Sequence, residues 1–181
     1  LFPSLFSKLF CRWMPKHQRQ AVGIEKVSAF KRDSATSTES GVKYFVLGAL
    51  ASGIILYGAS LVYGYAGTTS FAGIAEHLAG GEPQLGLLFG MAFLIAGLGF
   101  KVSAVPFHMW TPDVYQGAPT PVTALLAIAS KIAAIAVFMR VMLDPFGALF
   151  ESWFQILMVL SALSMILGAF AAIGQSNIKR L

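Results

Sequence analysis

Charge is scarce in this sequence. Only 12% of its 181 residues are Asp, Glu, Lys or Arg, about half the share of a soluble domain. A globule this poor in charge cannot cover its own surface with polar groups. Cysteine is scarcer still. Cys11 stands alone, which excludes a disulfide-built scaffold. One cysteine and three histidines also leave no ligand set for an iron–sulfur cluster or a structural zinc site. Gly97 and Gly99 lack the third glycine of a dinucleotide fingerprint, and no phosphate loop is present. No nucleophile is paired with a base as a hydrolase requires. The apolar runs do not alternate over ten residues as outer-membrane strands do. What remains is abundant: hydrophobic residues make up 56% of the chain, and its mean hydropathy is +0.71. The composition reads as an all-α integral membrane protein.

A bilayer core about 30 Å thick needs roughly 20 apolar helical residues. Four windows meet that length, and the spans are expected near 42–65, 84–109, 120–143 and 152–175. Tyr44 to Ala75 and Ser152 to Ile178 carry no charge, while Lys101 and Lys131 are the lone charges of Pro83–Met109 and Val114–Met139. Seven of the thirteen basic residues lie at or before Arg32. That polybasic stretch fits a segment beside a membrane better than a nucleic-acid site, because its aromatics form no stacking platform. Its short apolar part precedes its charges, so it does not read as a signal peptide. Lys31, Arg32 and Lys43 precede the first span, and Lys179 and Arg180 follow the fourth. The connections at 66–83 and 144–151 contain no Lys or Arg. The positive-inside rule then puts the residues before 43, the 110–119 turn and the C-terminal residues on the cytoplasmic side.

Lys101 and Lys131 are the informative residues. A lysine well inside a span costs about 2.5–3.5 kcal/mol on insertion scales. Two of them on successive helices point to protonatable carriers facing a hydrated interior; the alternative is that each snorkels to an interface. Pro106 cannot donate to the carbonyl of Val102 and crowds it, so the helix is expected to break just past Lys101. Ion sites sit at such breaks in transporters. Ser103 and His108 would offer a hydroxyl and an imidazole to a water chain there; packing alone also explains Pro106 and His108. Glu39 and Lys43 are four apart in the favourable order for a helical ion pair. A capping box from Thr36 to Glu39 explains the same residues equally well. The 110–121 stretch, with Pro112, Gly117, Pro119 and Pro121, reads as a tight structural connection that Asp113 caps or orders.

The stretch from Gly97 to Val122, GLGFKVSAVPFHMWTPDVYQGAPTPV, closely resembles the antiporter-like subunits of the proton-pumping NADH–quinone oxidoreductase, respiratory complex I. Tyr115 favours subunit N, the counterpart of mitochondrial NADH dehydrogenase subunit 2, over its sisters. Phe30–Ser34 with Ser37–Leu50, Ala129–Ile132 and Gly174–Leu181 resemble the same subunit in the same order. The resemblance implies a partial antiporter-like domain over 29–181 behind an atypical basic segment, 1–28. Lys101 then looks like the lysine of a broken helix and Lys131 like that of the next helix. Glu39 and Lys43 look like the charged pair that begins the helix before them. It implies proton translocation, with NADH, FMN, iron–sulfur clusters and quinone handled by other subunits and no cofactor held by this chain. It also implies other membrane-arm subunits and lipid as partners, no nucleic acid, and a bacterial inner membrane. The family's membrane glutamate has no match in 1–28, and Glu25 is not assigned its role. With Leu1 at the start and the family continuing past Leu181, a truncated or frameshifted piece of a subunit is expected. A related cation/proton antiporter or membrane-bound hydrogenase subunit and a non-transporting assembly scaffold stand as alternatives.

Overall fold

The computed structural model describes residues 35–81 and 84–180. The basic segment 1–28, Glu25, the Phe30–Ser34 stretch and Glu82 lie outside the described residues. Those described form helices and turns without a strand. Among the described residues seven α-helices follow one another: α1 Ala35–Ala66, α2 Phe71–Ala79, α3 Leu85–Val102, α4 Thr111–Gly117, α5 Thr120–Leu125, α6 Lys131–Leu143 and α7 Phe150–Ile173. A π turn, Leu126–Ser130, joins α5 to α6, and a 3-10 turn, Gly147–Leu149, leads into α7. Four stretches of the described residues are long and apolar enough to cross a bilayer: Thr36–Ala66, Leu85–Val102, Thr120–Leu143 and Gly147–Ile173.

Three of these spans agree with the sequence expectation within several residues. The second does not. It stops at Val102 rather than 109, because Ser103 takes the left-handed conformation at φ 66°. The amide of Ser103 donates to Phe100 O (3.1 Å) and that of Ala104 to Gly99 O (2.9 Å). These paired bonds are the Schellman stop, built here on serine instead of glycine. The break past Lys101 is therefore made by Ser103 before the chain reaches Pro106, whose peptide bond with Val105 is cis. The short helix α2 in the second connection was not expected.

α1 and α3 form the tightest pair, and glycines allow their approach. A Cβ at Gly58 would lie 2.9 Å from Gly90 O, and one at Gly97 would lie 2.2 Å from Ile55 Cγ1. Membrane helices lack a hydrophobic drive to associate and rely on such close backbone packing. One buried cluster gathers Leu87, Met91 and Ile95 of α3 with Val62, Ile74, Leu78, Met142, Phe146 and Trp153. The indole of Trp153 donates to Phe146 O at 3.0 Å. A second cluster, around Trp110, Val114 and Leu126, sits beside the break and positions the site.

Candidate functional site

The broken segment is held from three directions. Trp110 is 4% exposed and its indole N–H donates to Phe100 O (3.1 Å), a carbonyl at the end of α3. Its ring lies 5.2 Å from Tyr44, 5.5 Å from Phe100 and 6.2 Å from Tyr115. The Thr111 hydroxyl donates to Ser103 Oγ at 2.8 Å. From α7, Ser164 Oγ accepts the amide of Val105 (3.0 Å) while donating to Leu160 O (2.7 Å). A helix break inside a membrane protein needs such partners for its freed backbone groups.

Lys131 is the twelfth residue of the Thr120–Leu143 span. The π turn immediately precedes it, and the Ser130 hydroxyl bonds to Leu126 O within that turn. Such turns locally rotate a helix and recur at functional positions. The Lys131 ammonium stands 5.6 Å from the centre of the Tyr115 ring, a cation–π distance. It lines a cavity of about 340 Å³ with Ser103, His108, Thr111, Gln175 and Arg180. Two buried polar atoms lack a hydrogen-bond partner among the described residues, His108 Nδ1 and Tyr115 Oη. His108 borders the cavity, and an orphaned polar atom beside a polar cavity is where bound water belongs. Burial pushes the Tyr115 hydroxyl above its ordinary pKa, with Tyr44 adding to it. Tyr115 is thus kept neutral at physiological pH.

Lys101 occupies the last turn of α3 and is partly buried. It is not one of the residues lining the Lys131 cavity. Glu39 and Lys43 come together: the ammonium meets Glu39 Oε1 at 2.6 Å and Asp113 Oδ2 at 2.7 Å. The ion pair that their spacing allows is therefore formed, and Thr36 lies within α1. Asp113 is also more than a turn-ordering residue. Its other oxygen takes Arg180 at 3.0 Å. The Lys43 hydrogen bond, followed by the fields of Lys43 and Arg180, outweighs burial and holds the Asp113 carboxyl below its usual range. Contact between α1 and α4 is close because Gly117 has no side chain; a Cβ there would meet Ser40 Oγ at 2.4 Å and Thr36 O at 2.8 Å. Lys43, the 110–119 turn and the C-terminal residues share one face, as the charge pattern requires.

Asp113, Arg180 and Ser164 are therefore site residues that the spacing of motifs did not mark. Among the described residues, no group of three or more His, Cys, Asp or Glu is placed to hold a metal ion.

Apolar spans, a helix stopped one residue past a lysine, and a second lysine in mid-span over a polar cavity define a class: multi-pass helical membrane proteins with ionisable groups inside the bundle. Residues 20–181 match the family described as NADH:quinone oxidoreductase/Mrp antiporter, TM, and the chain belongs to that family. Its relatives narrow the comparison. It is 62% identical over 162 residues to NADH-quinone oxidoreductase subunit N of Jannaschia sp., covering 90% of this chain and 34% of that protein. It is 61% identical over 163 residues to subunit N of Rhodospirillum rubrum, with the same coverage. The chain thus spans about a third of the length of the curated relatives it matches. Among solved structures it resembles respiratory complex I from Thermus thermophilus with bound aureothin, at TM-score 0.69 and 38% identity over 88% of this chain and 35% of that one. It also resembles an archaeal respiratory membrane complex, the membrane-bound sulfane sulfur reductase, at TM-score 0.72 and 28% identity over 90% and 33%. Family and spans together make this a multi-pass protein of the bacterial inner membrane.

Proposed function

We propose that the chain forms the proton-translocating part of a membrane-arm subunit of NADH–quinone oxidoreductase. It moves protons across the membrane, coupled to electron transfer from NADH to quinone. Lys101 is the central carrier, Lys131 passes the proton along, and His108 relays it through water. Glu39 modulates Lys43 and, through it, Lys101. Desolvation favours a neutral lysine and a nearby carboxylate favours a charged one, so a moving counter-charge loads and unloads the proton. Such neighbours titrate as a set. The main support is Lys131: an ammonium at mid-span, over Tyr115, lining a polar cavity that it shares with His108.

NADH, FMN, iron–sulfur clusters and quinone act through other subunits, the membrane-arm ones among them being this chain's partners. Each outward proton works against about 2.3 kcal/mol per 100 mV, so redox-driven rearrangement elsewhere supplies the drive. The relatives being subunits N favours this function over a sodium-exchanging antiporter with the same lysines.

The test is Lys131→Ala in the assembled complex, reconstituted in vesicles. Pumping per complex is expected to fall about tenfold or more, the scale of losing a positioned proton carrier. Unchanged pumping at normal yield overturns the proposal. Unchanged pumping per complex with poor assembly supports the scaffold alternative instead.

A further inference from the structure

Two polar cavities lie on the same side of the bundle, and one side chain lines both. The outer cavity, about 290 Å³, is bounded by Glu39, Ser40, Asp113 and Gln116. The inner one, about 340 Å³, contains Lys131, His108 and Ser103. Arg180 belongs to each. Its guanidinium donates to Asp113 Oδ1 at 3.0 Å and to Gln116 Oε1 at 2.5 Å. The backbone behind it is fixed as well: the Arg180 amide donates to Asn177 O (2.9 Å), and the Lys179 ammonium donates to Ala118 O (3.0 Å). The arginine is thus anchored at both ends, across the boundary between the two spaces.

We propose that Arg180 is a gate between the outer cavity and the Lys131–His108 cavity, held shut by Asp113 and Gln116, and that its release joins them into one water path. A fixed guanidinium suits this task, since it sets a planar positive charge between the two spaces and repels an approaching proton. The latch connects to the titrating residues. Glu39, Lys43, Asp113 and Arg180 form a chain of alternating charge, with Lys43 between two carboxylates and Asp113 between two cations. When Lys43 leans towards Glu39, Asp113 is left to grip Arg180. When Lys43 leans towards Asp113, part of that carboxylate's charge is spent and the arginine loosens. The occupancy of the Glu39–Lys43 pair thereby sets whether water reaches Lys131. The gate rests on the proton-translocation proposal and adds its access control.

Accessibility tests the gate without relying on pumping. In the assembled complex with Cys11→Ser and Lys131→Cys, membrane vesicles with the cytoplasmic face outward are treated with a positively charged, membrane-impermeant methanethiosulfonate. Adding Arg180→Ala should speed labelling of the new thiol about fivefold or more, the upper range for losing a solvent-accessible ion pair. Arg180→Lys, which keeps the cation, should stay within about twofold of the parent. An unchanged rate in Arg180→Ala overturns the gate. Should that variant not assemble, Asp113→Asn carries the test with the arginine in place: faster labelling supports the gate and the parent rate overturns it. Failure of the translocation proposal itself would show separately, as normal pumping by the Lys131→Ala complex.

Discussion

Two of the spans are alike in apolarity and opposite in use. The Leu85–Val102 span has a mean hydropathy of 2.0 and is half buried inside the chain; the Gly147–Ile173 span is more apolar, at 2.5, and has none of its window buried. Hydropathy identifies a helix for the membrane but says nothing of what it touches there, since lipid and protein are equally apolar neighbours. The discriminating signal is where small residues meet. Gly90 of α3 faces the Gly58 carbonyl of α1 and Gly97 faces Ile55 and the Ala51 carbonyl, whereas a Cβ on Gly168 of α7 would meet nothing among the described residues within 4 Å. A glycine matched by a facing backbone marks a contact; an unmatched glycine does not.

That contrast can be broken within a single helix. Gly58→Leu forces a side chain against the Gly90 carbonyl and Phe93 Cβ, both within 3.0 Å of the new Cβ. Overpacking at such a place costs about 1–3 kcal/mol. Gly53→Leu, five residues earlier on α1, meets nothing within 4 Å among the described residues. It should change stability by no more than about 0.5 kcal/mol. Native gels of solubilised membranes, with thermal melts of the assembled complex, should show marked loss for Gly58→Leu and near-normal yield for Gly53→Leu. Equal outcomes would mean that α1 and α3 are not the close pair.

α7 packs through Trp153, Leu157 and Leu160 and is largely bare beyond them, yet Ser164 makes one precise contact there, and a smaller effect sharpens the comparison. Ser164→Ala removes the acceptor of the Val105 amide on the broken segment. Leaving that donor unpaired costs about 1 kcal/mol in a membrane setting. Ser52→Ala is the control, because its exposed hydroxyl bonds to Gly48 O on its own helix. Hydrogen exchange at residues 103–110 should quicken in the first variant and not in the second. No difference would remove α7 from the support of the break.

The same contrast explains what the sequence made legible. Span number and apolarity followed from local composition, which needs no partner. Lys131 stood out because a charge in an apolar run is locally conspicuous. The break past Lys101 was visible through Pro106, but its cause was not, because a serine in the left-handed region has no distinctive sequence mark. Asp113 and Arg180 were harder still. Asp113 lies in a breaker-rich connection and Arg180 among the polar residues after the fourth span, places where charge is ordinary, and they are 67 residues apart. Their importance comes from α4 folding against α1 at Gly117, a tertiary fact. Glu39 and Lys43 were ambiguous for a related reason, since a cap and an ion pair both call on Glu39, and the third partner, Asp113, is 70 residues away from Lys43.

The polar end of the molecule supplies the smallest expected effect. Asp113 has its carboxyl held below the ordinary carboxylate pKa, chiefly by the Lys43 hydrogen bond and then by the Lys43 and Arg180 charges. A lowered folded-state pKa means that the contribution is complete above the unfolded value, about 3.9, and fades as pH falls through the folded one. Because Asp113 and Lys43 keep side-chain exposures of 31% and 40%, screening limits the contribution to about 1 kcal/mol at most. Asp113→Asn should therefore lower the melting temperature of the assembled complex slightly at pH 7 and by the same amount at pH 6. The difference from the unsubstituted chain should shrink only below about pH 4, as the native carboxyl itself becomes neutral. A difference that already closes between pH 7 and 5 would mean that Asp113 is not clamped by its two cations, and that the polar face is as loosely held as the bare flank of α7.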